Sequence, residues 1–251
     1  MTVLLPKHGY IGCRACYTGP ASSFEFSNAD GTKWRLEQPN AAWGSQTPTI
    51  LVLGFSRGAN QSKPGTPFDD IAFKGMRKQL TDILRSLRLL GAETVGTHIS
   101  MGEQKFAFGS LIRCSVAQWD QTKLAYSKAG GAILQKFAQG SSTLRIAVTC
   151  AGKYLASLPA KTKLVVMLGN EERYVRFCFE RIKEARGGAD WVNALSYDSL
   201  GVRFVHVMHA KAQGSLVPDW IAGVKSQVEK RRFALEAVNK LISDFPELET
   251  Q

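Results

Sequence analysis

The sequence has no long apolar run, no secretory leader and no low-complexity tract, and each absence narrows the class of protein. No stretch approaches the length of a membrane span, and the opening Met-Thr-Val-Leu-Leu-Pro-Lys-His is broken too early to be a signal core. Nothing within its 251 residues resembles a long flexible linker or an internal repeat. We therefore expect a single cytoplasmic domain, residues 1–251, with no membrane partner.

Acidic residues are few relative to basic ones. The chain has 21 Asp and Glu against 32 Lys and Arg, which gives a formal net charge of +11. Such a charge favours a polyanionic partner, nucleic acid first, and with it a location at the nucleoid. A merely soluble basic protein is the alternative, because net charge bears on association and not on fold.

Cysteine is also scarce, but four of the five cysteines are spaced as metal ligands often are. Cys13 and Cys16 form a Cys-x-x-Cys pair, while Cys114 and Cys150 stand at the edges of apolar segments. Two close and two distant thiolates can converge on one soft centre, either tetrahedral zinc or an iron–sulfur cluster. Ordinary buried thiols are the alternative, and Cys178, within a helical pattern, is expected to be one. A disulfide framework is not expected without a secretory signal.

Four short apolar runs predict buried parallel strands at residues 49–54, 106–112, 163–168 and 202–208. Helical patterns occupy residues 76–90, 145–158, 171–184 and 219–245. Strands that alternate with helices predict an α/β fold of three layers, α/β/α, with a central four-stranded, mainly parallel sheet. Residues 1–46 are expected to form a metal-cluster segment with a β-hairpin at 23–36, and residues 47–251 the α/β core.

Ligands of such sheets bind beyond the carboxyl ends of the strands, so the residues just after each strand are the functional candidates. A glycine-punctuated loop runs from Gly54 to Phe68, and it is neither a Walker loop nor a dinucleotide fingerprint. The other three strands lead to Ser110, to Gly169 and Asn170, and to His209. The polar candidate residues are therefore predicted to lie together at the carboxyl ends of the parallel strands.

These motifs resemble the iron–sulfur branches of the uracil-DNA glycosylase superfamily, often called families four and five. Gly54-Phe-Ser-Arg-Gly58 with Gly65-Thr-Pro-Phe68 keeps the spacing of their first motif, and Leu168-Gly-Asn170 matches the turn after their third strand. Cys114 and Cys150-Ala-Gly-Lys-Tyr-Leu155 are similar to two of their cysteine motifs. His209-Ala-Lys-Ala-Gln-Gly214 resembles their histidine motif. The resemblance covers roughly residues 10–220.

The resemblance implies a monomeric base-excision-repair enzyme, a hydrolase that cleaves the N-glycosidic bond of uracil in DNA after flipping the base into a pocket. It implies a 4Fe-4S cluster, with zinc as the runner-up, held by Cys13, Cys16, Cys114 and Cys150. The predicted catalytic residues are His209, Ser56 and Asn60. The predicted base-binding residues are Phe55, Phe68 and Ser110. The predicted DNA-binding residues are Arg57, Lys63, Lys211 and Leu216.

The expected roles follow from residue chemistry. Phe68 is predicted to stack on the base, and His209 to donate a hydrogen bond to the carbonyl oxygen of the departing base. Ser56 or Asn60 is predicted to position the attacking water. Asp69 is the carboxylate nearest to Phe68 in the sequence. It could act as the base, but we expect it to be a helix cap.

The DNA-facing roles follow from the same loops. The backbone N–H groups near Phe55 and Ser56 are predicted to contact the same base oxygen. The cationic residues Arg57, Lys63 and Lys211 are predicted to contact phosphates. Leu216 is predicted to wedge into the minor groove.

One departure from the family bears on specificity. Ser110 stands where those proteins carry an Asn that reads the uracil edge, and a hydroxyl cannot match the paired donor and acceptor of an amide. We therefore expect tolerance of hypoxanthine or xanthine besides uracil.

Three functions remain open at this stage. The first is the deaminated-base glycosylase, and the second is a protein of the same fold that binds damaged or abasic DNA without cleaving it. The third is a zinc-containing α/β protein that acts on a soluble nucleotide.

Overall fold

The computed structural model describes residues 2–38, 40–57, 66–127 and 130–249, with the backbone alone for residues 130–132. The strands of these residues are β1 Gly9–Ile11, β2 Ser23–Ser27, β3 Lys33–Glu37, β4 Asn40–Gly44, β5 Ile50–Ser56, β6 Phe106–Ile112, β7 Ser115–Asp120, β8 Ala125–Ser127, β9 Leu164–Leu168, β10 Asp190–Asn193, β11 Ser196–Ser199 and β12 Val202–Val207. The α-helices are α1 Phe68–Ile71, α2 Arg77–Ser86, α3 Gly130–Gln139, α4 Ser141–Tyr154, α5 Glu172–Arg186, α6 Leu216–Ala222 and α7 Val228–Asp244. The protein is therefore mixed α/β.

The four predicted strands are present as β5, β6, β9 and β12. They lie next to one another in the order β6-β5-β9-β12, and all three pairings between them are parallel. Nearly all of their side chains are buried, which explains why each reads as a continuous apolar run in the sequence.

The sheet is wider than predicted. It has eight strands in the order β1-β4-β6-β5-β9-β12-β11-β10, and the outer strands pair antiparallel. The prediction of four strands was wrong because the marginal strands are only three to five residues long. Such short segments give little periodicity to read. Strands β1 and β4 also tie the N-terminal segment into the main sheet.

Side chains that alternate along the central strands feed two cores on opposite faces of the sheet. Ile50 and Val52 belong to the first core, with residues of α2, α6 and α7. Leu51 and Leu53 belong to the second core, with residues of α3 and α4 and much of α5. This alternation decides on which face each candidate site residue lies.

A second, four-stranded sheet has the order β2-β3-β7-β8. The predicted hairpin is confirmed: β2 and β3 pair antiparallel from Ser23 opposite Glu37 to Ser27 opposite Lys33. Strands β7 and β8 were not predicted, and they come from the long stretch between Cys114 and Cys150.

The long C-terminal helix predicted over residues 219–245 is wrong. Gly223 has a left-handed φ of 66° at the end of α6, and Val224 is extended, so the chain turns before α7 begins. None of the helices in the described ranges is long and apolar enough to cross a bilayer.

His98 lies at the amino end of β6 between two carboxylates. Its Nδ1 is 2.9 Å from Glu103 Oε2, and its Nε2 is 2.9 Å from Glu93 Oε2. A neutral imidazole has one N–H, so this arrangement favours the doubly protonated ring. The hydrogen bond with Glu103 accordingly raises the pKa of His98. Glu103 also accepts the N–H groups of Lys105 and Phe106, which fixes the start of the strand.

We predict that the ion pairs of His98 stabilise the folded protein at low pH and that this contribution to the free energy of unfolding is lost at alkaline pH. Because the folded pKa of His98 lies above the unfolded value of about 6.5, its stabilisation is complete below that pH. It is lost as pH rises through the folded pKa. Urea unfolding of the wild type between pH 6 and 9 should show this loss, and His98→Gln should flatten it. Parallel pH curves for the two proteins would contradict the assignment.

Candidate functional site

Four cysteines from three separate parts of the chain line one cavity. Cys13 and Cys16 lie between β1 and β2, Cys114 follows β6, and Cys150 lies in α4. The space between the lining side chains, part of it open to solvent, is about 280 Å³. Cys178 is fully buried in the second core, as predicted, and it does not line this cavity.

Each of the four sulfurs has a hydrogen-bonding group nearby. The pairs are Asn40 Nδ2 to Cys114 Sγ at 3.6 Å, Lys153 Nζ to Cys13 Sγ at 3.4 Å, the Thr149 side chain to Cys16, and the backbone N–H of Arg113 to Cys150. Tyr17 and Tyr154 line the same cavity. Hydrogen bonds of this kind stabilise a thiolate relative to a thiol. They are also typical of the outer shell of a metal site.

Burial opposes ionisation of these thiols. It raises the pKa of Cys16 and Cys114, and it raises the pKa of Cys150 to about 12. Burial also raises the pKa of Cys13, but hydrogen bonds from Tyr154, the Ala15 backbone and Lys153 outweigh it, and the net shift is downward. A bound cation would offset this burial penalty, because metals bind the thiolate and displace the proton.

The donor set is the chemistry that a soft metal centre requires. Four thiols with hydrogen bonds to sulfur fit an iron–sulfur cluster or a tetrathiolate zinc site. In the described part of the chain, no three His, Cys, Asp or Glu side chains are set to hold a single metal ion.

Arg57, a predicted DNA contact, is buried. The residue is only 3% exposed, and its backbone N–H donates to the carbonyl of Cys114 at 3.3 Å. Burial lowers the pKa of Arg57, and Cys114 is the first of the groups that oppose this shift. The predicted phosphate contact of Arg57 stays a prediction.

The carboxyl edge of the parallel strands brings other candidates together. Gly54 of β5 pairs with Ser110 of β6, and a Cβ at Gly54 would lie 3.9 Å from Ser110 Oγ. Ser110 is half-buried and lies on the face of the first core, in alternation with Phe108. Ser56, also half-buried, is the last residue of β5.

His209 follows β12 by two residues and is half-buried. Its Nδ1 accepts the backbone N–H of Lys211 at 3.0 Å, which leaves the proton of the neutral ring on Nε2. Burial lowers the pKa of His209, and the charge of Lys211 lowers it further. At neutral pH the ring is therefore uncharged and can donate from Nε2.

Phe68 begins α1 and packs against the first core, the face on which Ser110 lies. Its ring stacks on Trp43 at 5.3 Å and meets the edges of Tyr10 and His8 at 4.8 and 5.2 Å. The loop before Phe68 is outside the described residues. A single base cavity formed by Phe68, Ser110 and His209 therefore stays a prediction.

The Phe55 side chain lies on the opposite face. It packs against Phe137 and Tyr174 at centroid distances of 5.3 and 6.1 Å, at the margin of the second core. Only its backbone could then face the same side as Ser110. The predicted contact between this N–H and a base oxygen stays a prediction.

The remaining candidates differ in exposure. Lys211 is exposed, and Leu216, the first residue of α6, is 37% exposed. Asn60 and Lys63 lie outside the described residues. Asp69 is not the helix cap that was expected: the cap position is Pro67, and the Asp69 carboxylate lies 2.8 Å from His8 Nε2.

Some of the residues around the sulfurs had a signal in the sequence. Lys153 and Tyr154 lie three and four residues after Cys150, and Thr149 lies four residues before Lys153, which are the spacings of neighbours on one helix face. Asn40 and Tyr17 had no such signal, because they reach Cys114 from the distant N-terminal segment.

A scan against protein-family models finds no match. A search of curated proteins finds no significant match either.

We predict that metal binding depends on the cysteines of the cavity and not on the fifth one. Cys114→Ser should lower the metal content per folded chain severalfold, because a hydroxyl is a poor ligand for a soft metal. Cys178→Ser is the matched control, since Cys178 is also buried. Plasma mass spectrometry and labile-sulfide assays of both variants provide the measurement. Equal metal content in the two variants would rule out this ligand set.

Proposed function

We propose that the protein is a DNA N-glycosylase of the uracil-DNA glycosylase type, with its three-layer α/β/α fold and iron–sulfur centre. It hydrolyses the bond between deoxyribose and uracil or another deaminated base. The observation that supports this most is the convergence of Cys13, Cys16, Cys114 and Cys150 on one cavity. That cavity adjoins the carboxyl ends of β5 and β6, the sheet edge where ligands of parallel sheets bind.

The proposed chemistry is stabilisation of a leaving group. Breaking the N-glycosidic bond leaves negative charge on the base and positive charge on the sugar. His209, neutral and protonated on Nε2, donates to the carbonyl oxygen on which that charge develops. A neutral donor is suitable because it holds the charge without first losing its own proton to the base.

The other residues orient the reactants. Phe68 stacks on the flipped base, and the Ser110 hydroxyl meets its polar edge. Ser56 or Asn60 holds the water that attacks the sugar. Neither is a strong base at neutral pH, so their role is positional.

Cys13, Cys16, Cys114 and Cys150 would hold a 4Fe-4S cluster, with zinc as the alternative. The centre supplies a cross-link between the N-terminal segment, the end of β6 and helix α4. Its role is therefore structural in this proposal. It would fix Cys114 after β6 and, through the Arg57 to Cys114 backbone bond, the first residue after β5.

The partner is DNA. A net charge of +11 supports attraction to phosphates, and Lys211 is an exposed cation directly after His209. Leu216 is the exposed apolar side chain of the same loop region and is the proposed wedge.

We predict that His209→Ala lowers the rate of uracil release about 100-fold or more, because one preformed donor to the leaving oxygen is lost. DNA affinity should change little. Single-turnover base release and fluorescence anisotropy on the same uracil-containing duplex separate the two effects, with metal content and melting temperature as controls. Tight, salt-sensitive binding by the wild type without any released base would instead favour the non-cleaving alternative.

We predict that the wild type releases hypoxanthine or xanthine as well as uracil, because Ser110 makes a less exacting contact than an amide. Ser110→Asn should shift the preference toward uracil, since its amide both donates and accepts. Matched duplexes with each base provide the test. Strict uracil preference in the wild type would contradict the role given to Ser110.

A further inference from the structure

Arg113 is a buried cation beside the candidate metal centre. It immediately precedes Cys114 and is 3% exposed. Its guanidinium packs over Gly109 of β6, where a Cβ would collide with Nη1. The carbon of the guanidinium is 5.1 Å from the centre of the Tyr154 ring. The glycine in the middle of a buried strand thus provides the space for this charge.

No carboxylate accompanies Arg113 in the described part of the chain. Its Nε is buried without a hydrogen-bond partner there, and the residues outside the described ranges include no Asp or Glu. Burying an unpaired charge is strongly unfavourable, so buried arginines normally have an anionic partner. We therefore expect a negatively charged group close to Arg113 in the functional protein.

Arg113 lines the same cavity as the four cysteines. It directly precedes Cys114, and its guanidinium lies against the ring of Tyr154, which lines that cavity too. A thiolate centre in the cavity would therefore place negative charge beside Arg113.

A centre held by four thiolates keeps a net negative charge, whether it contains zinc or a four-iron cluster. We propose that Arg113 is the internal counter-ion of this centre, a positioning residue that stabilises the anionic loaded state. In an iron–sulfur cluster it favours the reduced state, which has one more negative charge, and so raises the reduction potential. This inference rests on the proposed metal centre and extends to a residue that is not itself a ligand.

The test compares Arg113→Met, which removes the charge and keeps a long side chain, with Arg113→Lys, which retains a charge. Arg186→Met is the matched control. Arg186 is also a buried arginine, but it bonds to Leu155 and Ser199 oxygens. Three quantities are measured on each variant. They are the metal and sulfide content per folded chain, the rate of metal loss to a chelator and, for an iron-loaded protein, the midpoint potential by film voltammetry.

We expect Arg113→Met to lose metal to the chelator severalfold faster than the wild type and to have a more negative potential. Arg113→Lys should restore both in part, and Arg186→Met should lower the melting temperature without either effect. If Arg113→Met does not fold, Gly109→Ala provides a second variant that displaces the guanidinium, and it should change both quantities in the same direction.

The outcomes separate the two proposals. A metal-loaded wild type with unchanged retention and potential in Arg113→Met would overturn the counter-ion role alone. Equal metal loss in Arg113→Met and Arg186→Met would do the same, since it would reflect general destabilisation. A wild type that binds no metal would overturn the proposed centre and this inference together.

Discussion

The burial of four thiols around one cavity is the constraint on which the rest of this structure depends. Their burial holds three of the thiols in the neutral form, yet each sulfur faces a hydrogen-bond donor or a cation. Burying a hydrogen-bond donor or an arginine charge costs free energy when its neighbours are apolar and neutral. The same groups are stabilising when their neighbours are anions. The surroundings therefore match thiolates that hold a positive centre better than they match a core of free cysteines. This electrostatic match links the cysteine spacing to a chemical role.

The same cavity orders the edge of the sheet that would do chemistry. Cys114 follows β6 directly, and its carbonyl accepts the N–H of Arg57 at the end of β5. Two neighbouring strand ends are thereby fixed to each other at the level of Ser56 and Ser110. His209 comes to this edge independently, through β12, and its tautomer is set by the turn at Lys211. The proposed centre and the proposed reactive edge are thus linked by a backbone hydrogen bond and share no side chain.

The sequence predicted the central strands well because strands buried on both faces have continuous apolar runs. It failed at the margins: β10 and β11 are four residues each, and the apolar spacing of residues 219–245 continues through the break at Gly223. At the site, too, some contacts follow from local spacing in the sequence and others arise only through the fold. Cys150 and Tyr154 share a helix face that local spacing predicts, whereas Asn40 reaches Cys114 only through the fold. Arg57 was expected to contact phosphates, and local sequence could not show that its side chain is buried.

Above all, we propose that the four thiols hold a polynuclear metal centre. The most direct test is to purify the protein without oxygen and determine its visible spectrum together with its iron and acid-labile sulfide. We expect a brown protein with about four iron and four sulfide per chain. A colourless protein with neither iron nor sulfide would contradict the claim.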